Sequence, residues 1–83
     1  MTRPISTIAR DIRRAWPRPY FGAVPYLGAM TALERASDPY GADSGVSVIS
    51  YFLSNAASFR GADARALKAE LKAALKTALT EGR

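Results

Sequence analysis

Eighty-three residues with a formal net charge of +5 and 48% hydrophobic content make one small domain with one core. A chain of this size buries only about 60–65% of its unfolded surface, so every core position counts. The absence of Cys excludes disulfides and thiolate metal sites, and the absence of His removes both the usual acid–base group near neutral pH and the commonest transition-metal ligand.

The first element is a helix. Ile5, Ile8, Ala9, Ile12, Ala15 and Trp16 recur at helical spacing, with Ser6, Thr7, Arg10, Asp11, Arg13 and Arg14 on the other side. Pro4 suits the first turn, where its missing N–H costs nothing, and Pro17 and Pro19 stop the helix. Arg10, Arg13 and Arg14 form a basic cluster opposite the apolar stripe.

Residues 16–27 then gather three prolines, four aromatics and one glycine. Pro25 can open a second helix, with Tyr26, Ala29, Met30, Leu33 and Ala36 on one face. That helix is expected to end near Ser37, because Asp38 precedes Pro39 and is pushed out of the α region. Trp16, Tyr20, Phe21 and Tyr26 are expected to pack inward and pin the connection between the two helices. The alternative is an exposed aromatic anchor of Tyr20 and Phe21 flanked by Arg14 and Arg18, a hot-spot composition.

Residues 38–45 read as a turn-rich loop in which Asp43 N-caps a third helix. Val48, Ile49, Phe52, Leu53 and Ala56 give that helix its stripe. A strand through 46–53 is the competing reading, given the β-branched and aromatic residues there, but a lone strand has no partner and the helical pattern continues through residue 57. Gly61 is placed as its left-handed terminator. The fourth helix, capped by Asp63, is Ala-rich and carries Leu67, Leu71, Ala74, Leu75 and Ala78 inward, with Leu79 at the edge. Residues after Thr80 are expected to fray. Arg65, Lys68, Lys72 and Lys76 form its basic stripe. No Lys or Arg occurs from Ala36 to Phe59, so charge concentrates at the two ends of the chain.

No motif carries chemistry. Asp43-Ser44-Gly45 resembles the surroundings of some serine nucleophiles, but no His can act as its base, and the plain reading is a turn and an N-cap. Gly41 and Gly45 lack the Gly-Lys-Ser/Thr of a phosphate loop. Asp38 and Asp43 lack the alternating acidic ladder of a Ca²⁺ loop. Residues 59–71 sketch a helix-turn-helix, yet Arg60 and Glu70 stand where that motif buries apolar side chains, and the fourth helix has no Asn or Gln to read bases.

Several strings together, Pro19 to Leu27, Tyr40 to Gly45, Tyr51 to Ala56 and Lys68 to Lys72, resemble a group of small accessory proteins encoded by actinobacterial phages. The resemblance implies a phage protein made in a bacterial cytoplasm and acting on host machinery, a binder rather than an enzyme. It carries over no site residues.

The sequence thus predicts an all-α, four-helix single domain spanning residues 1–83, ordered over about 4–79. Trp16, Leu27, Met30, Phe52, Leu53, Leu67 and Leu71 are its expected core. The expected function is non-enzymatic, with no cofactor and no metal: binding to a host protein or to itself as a homo-oligomer, with Arg14, Arg18, Tyr20 and Phe21 as candidate contacts. Nucleic-acid binding through Arg10, Arg13, Arg65, Lys68, Lys72 and Lys76 is the alternative, and a merely solvated basic face is the plain reading of the same residues. With no apolar run near the ~20 residues of a membrane span and no signal-peptide core after Met1, a cytoplasmic protein without membrane contact is expected.

Overall fold

The computed structural model describes residues 3–81, with the side chain of Glu81 left out of the description. Four α-helices occur among these residues: α1 (Ile5–Ala15), α2 (Val24–Met30), α3 (Gly45–Ser54) and α4 (Ala62–Glu81). A 3₁₀ turn, Phe21–Ala23, leads into α2, and a two-stranded antiparallel ladder, β1 (Pro39–Tyr40) with β2 (Asp43–Ser44), precedes α3. The fold is mostly helical and not purely all-α, which corrects the sequence-based class.

α1 packs against α2 and α4, and α3 packs against α2 and α4. Ile5, Ile8, Ile12, Met30, Leu33, Ile49, Phe52 and Leu71 are fully buried between them. Trp16, Leu27 and Leu67 join this core, as expected, while Leu53 is only partly buried against it. The two sides of α1 depart from the sequence pattern at two positions, Ser6 being buried and Ala15 exposed.

α2 ends at Met30, well before the expected Ser37. Beyond it the backbone tightens, with the N–H groups of Thr31, Ala32 and Leu33 donating three residues back to Gly28, Ala29 and Met30. The carbonyls of Leu33 and Glu34 are used elsewhere. They accept from the N–H groups of Ser6 (2.7 Å) and Ile5 (2.9 Å), the first donors of α1. A helix start leaves four such donors unpaired, and here Pro4 O takes the next two, from Thr7 and Ile8. The segment after α2 therefore caps α1, and Leu33 and Ala36 reach the core without being helical. Asp38 holds that segment in place, its Oδ2 accepting from the N–H groups of Glu34 and Arg35.

The loop expected at 38–45 is a hairpin. Gly41 has φ +58°, and Ala42 keeps a negative φ, which is the sign pattern of a type II′ turn with glycine first. Because Asp43 pairs with Tyr40 in the ladder, the N-cap of α3 falls one residue later than expected, on Ser44, whose Oγ accepts from the N–H of Ser47 at 3.2 Å. Gly45 is packed so closely that an added Cβ would lie 2.5 Å from the Ala36 carbonyl oxygen.

α3 stops at Ser54, so Gly61 (φ +110°) is not its terminator. Instead Gly61 precedes α4, and its carbonyl accepts from the N–H of Arg65. Asp63 consequently sits inside the first turn of α4, where a carboxylate still suits the dipole. α4 runs one residue past Thr80. Gly82 and Arg83, on which the rest of the expected fraying falls, lie outside the described residues.

Phe52→Ala is expected to cost about 3–5 kcal/mol, since it opens a cavity at a fully buried ring, whereas Leu53→Ala costs clearly less. Chemical denaturation of both variants checks the order. Ser44→Ala is expected to lose about 1 kcal/mol through the missing cap, measured the same way.

Candidate functional site

The connection from α1 to α2 builds the most unusual surface. Trp16 turns inward and is 9% exposed. Its ring stacks on Phe59 (centroids 4.9 Å, 15° between planes) and meets Phe52 edge-on at 6.3 Å. Pro17 and Pro19 then prevent helix continuation, and the chain re-enters the core only at Ala23, which is fully buried. Ala23 takes the inward position of the 3₁₀ turn and leaves Tyr20 and Phe21 outside.

The expected inward packing of all four aromatics therefore fails for two of them. Tyr20 is 46% exposed and Phe21 is 80% exposed, their rings touching at 4.8 Å. Tyr26 is partly buried and stacks on Tyr51, which is itself 55% exposed, at 5.5 Å. The two pairs lie on adjoining elements, because the 3₁₀ turn packs against both α2 and α3. The Tyr20 ring lies over Gly22 beside Asn55, whose Nδ2 donates to the Tyr51 carbonyl at 2.8 Å. Phe21, Tyr20, Asn55, Tyr51 and Tyr26 thus form one surface drawn from the 3₁₀ turn, α2 and α3. Tyr51 lies off the apolar stripe of α3, and its exposure, with that of Tyr20 and Phe21, is what the sequence reading required of a protein binder.

Of the other candidate contacts, Arg14 and Arg18 are exposed, but they do not share a neighbourhood. Arg14 lines the groove between α1 and α4, 3.9 Å from Asp11 Oδ1. Arg18 lies in the proline segment two residues before Tyr20.

The basic clusters stay apart. Arg13 leans toward α2, where its guanidinium lies 3.9 Å from the point a Cβ on Gly28 would occupy. Arg10 is exposed on the outer face of α1. On α4, Lys68 sits 5.7 Å over the Phe59 ring, on the side facing the α3–α4 connection, and Lys72 and Lys76 line a shallow apolar groove with Leu75 and Leu79. The groove between α1 and α4 is lined by three carboxylates, Asp11, Asp63 and Glu70, together with Arg3 and Arg14. Arg3 donates to Glu70 through Nε (2.8 Å) and Nη2 (2.7 Å) and to Asp11 through Nη1 (2.8 Å), tying the start of the chain to α1 and α4. These bonds raise the Arg3 pKa, first through Glu70 and then through Asp11. The Lys68 pKa is lowered, first by burial and then by Lys72 and Arg60.

The helix-turn-helix geometry is not present. Residues 55–61 join α3 to α4, longer than the roughly 3–4-residue turn of that motif. Ser44 Oγ is engaged with Ser47 as a cap. Among the described residues no group of three or more carboxylates converges to hold a metal ion, and no helix is long and apolar enough to cross a membrane. Comparison with protein-family models, with curated proteins and with solved structures found no match.

Gly22→Ala is expected to displace the Tyr20 ring, because the new Cβ would lie 2.6 Å from Tyr20 Cε2 and 2.8 Å from Asn55 Oδ1. Aromatic proton chemical shifts of Tyr20 and Phe21 should move while those of Trp16 and Phe52 stay in place.

Proposed function

We propose that this chain is a non-enzymatic phage accessory protein that acts by protein–protein binding in the cytoplasm of its bacterial host, on a host protein or on a second copy of itself. The observation that carries the reading is the exposed aromatic surface of Phe21, Tyr20, Tyr51 and Tyr26. A small domain short of core residues leaves large rings in water at a cost, and contiguous exposed aromatics mark interaction sites. Tyr and Phe are also enriched in the buried centres of interfaces, where they bring much contact area for few frozen torsions. Their seating on Gly22 and Asn55 holds the surface in one shape before a partner arrives, which lowers the ordering cost of association.

Nucleic-acid binding through α1 and α4 together is the weaker reading. It needs one continuous basic face, and the groove where α1 meets α4 carries the carboxylates of Asp11, Asp63 and Glu70. The positive charge fits steering toward an acidic partner just as well.

Phe21→Ser combined with Tyr51→Ser is expected to cost at most about 1.5 kcal/mol and to leave the chain folded, since the Phe21 ring is 80% exposed and Tyr51 loses chiefly its stack on Tyr26. The same variant should abolish self-association in analytical ultracentrifugation, or, if the chain is a monomer, cross-linking to a host protein that survives nuclease. Undiminished association of the variant would overturn the proposal.

A further inference from the structure

α4 carries two parallel seams: the core is built on one, and the other touches the rest of the chain through Lys68 over the Phe59 ring and the partly buried Leu75. Ala64, Leu67, Leu71, Ala74 and Ala78 follow a 3-4-3-4 spacing and are buried in the core. Arg65, Lys68, Lys72, Leu75 and Leu79 follow the same spacing one position later and face outward. This outer row is a coiled-coil seam in register, about 21 Å long at 1.5 Å per residue. Its first three positions are basic. Its last two are leucines, with Leu75 partly buried and Leu79 62% exposed, and together with Lys72, Lys76 and Thr80 they line a depression of about 530 Å³.

Nothing in the described chain neutralises this row. No carboxylate lies within ion-pair distance of Arg65, Lys68, Lys72 or Lys76 among the described residues, and Asp11 and Glu70 are held by Arg3 on the other flank of α4. Apart from the contact of Lys68 with the Phe59 ring, the helix gains nothing from the arrangement. Arg65 and Lys68 stand in its first two turns, where the positive end of the dipole disfavours cations.

We infer that the outer seam of α4 binds a helix of another protein that is acidic in its N-terminal half and apolar in its C-terminal half, lying parallel to α4. Charge and position select this occupant. Three carboxylates at matching seam positions would face Arg65, Lys68 and Lys72, and two apolar residues would cover Leu75 and Leu79. Acidic residues in the first turns stabilise the partner helix itself. A second copy of this chain does not fit: parallel pairing sets cation against cation, and antiparallel pairing sets leucine against arginine. Nucleic acid would leave the leucine half uncovered and finds no base-reading amide on α4. A lipid surface finds one large exposed apolar side chain on this face, because the remaining apolar width of α4 is spent on the core. This seam is separate from the aromatic surface and does not rest on it.

The test uses the full chain and a synthetic three-heptad helical peptide with Glu at three successive seam positions and Leu at the next two, labelled for fluorescence anisotropy. Saturable binding is expected. Lys68→Glu with Lys72→Glu should weaken it about tenfold or more, since like charges then face each other, and a peptide with Lys in place of Glu should restore binding to that variant. Leu79→Ser should weaken both pairs, and Phe21→Ser should weaken neither. Absence of saturable binding, indifference to the charge reversal, or tighter binding of a short DNA duplex or phosphatidylserine vesicles through the same lysines would overturn the inference.

Discussion

The packing of Trp16 between Phe59 and Phe52 is the contact on which the molecule's shape depends. Trp16 ends α1, Phe52 lies on α3, and Phe59 lies in the connection to α4, with Lys68 of α4 over its ring. One indole therefore ties the end of α1 to α3 and to the connection that leads into α4. Such ring pairs contribute about 0.5–1.5 kcal/mol each beyond the area they bury, and a cation over a ring adds a comparable amount. The functional consequence follows from chain geometry. Once Trp16 is drawn inward and Pro17 and Pro19 stiffen what comes next, the chain travels over the surface until Ala23 is buried, and Tyr20 and Phe21 are left outside.

A second constraint acts at the other end of α1. Its first two N–H groups are paired with carbonyls of Leu33 and Glu34, so the start of one helix and the termination of another are a single hydrogen-bonded event. Arg3 adds a surface tie to Asp11 and Glu70. Being exposed, that tie is screened by salt and secondary to the backbone pairing. Together the two ends fix α1 against α2 and α4, and on the outer side of α4 Arg65, Lys72 and Leu79 stay exposed.

Most of this fold was legible in the residues, for identifiable reasons. α1, α3 and α4 show through their periodicity, because each buries one continuous stripe. The end of α2 was not legible, since Leu33 and Ala36 keep helical spacing and reach the core while their backbone bonds to α1; tertiary pairing overrode local pattern. The hairpin escaped notice because each strand is two residues long, below the length at which alternation can appear, and only Gly41 signalled it. The N-cap shifted from Asp43 to Ser44 for the same reason. The outward turn of Tyr20 and Phe21 stood only as the alternative to inward packing, as the prolines interrupt every period there. Helical angle placed Arg10, Arg13 and Arg14 on one side of α1 but could not say that Arg13 leans on α2 while Arg14 faces α4.

Two surfaces, one aromatic and one a basic and apolar helical seam, are therefore consequences of where the core stops. The proposal of a binding protein rests on the first, and that surface exists only if Trp16 is the ring that goes in. Nuclear Overhauser contacts of the aromatic side chains test this most directly. The account requires cross-peaks from the Trp16 indole to both Phe52 and Phe59, and contacts of the Phe21 ring confined to Tyr20 and its immediate chain neighbours. Cross-peaks from Phe21 to Leu27 or Met30, with a Trp16 indole lacking contacts to Phe52 and Phe59, would contradict it.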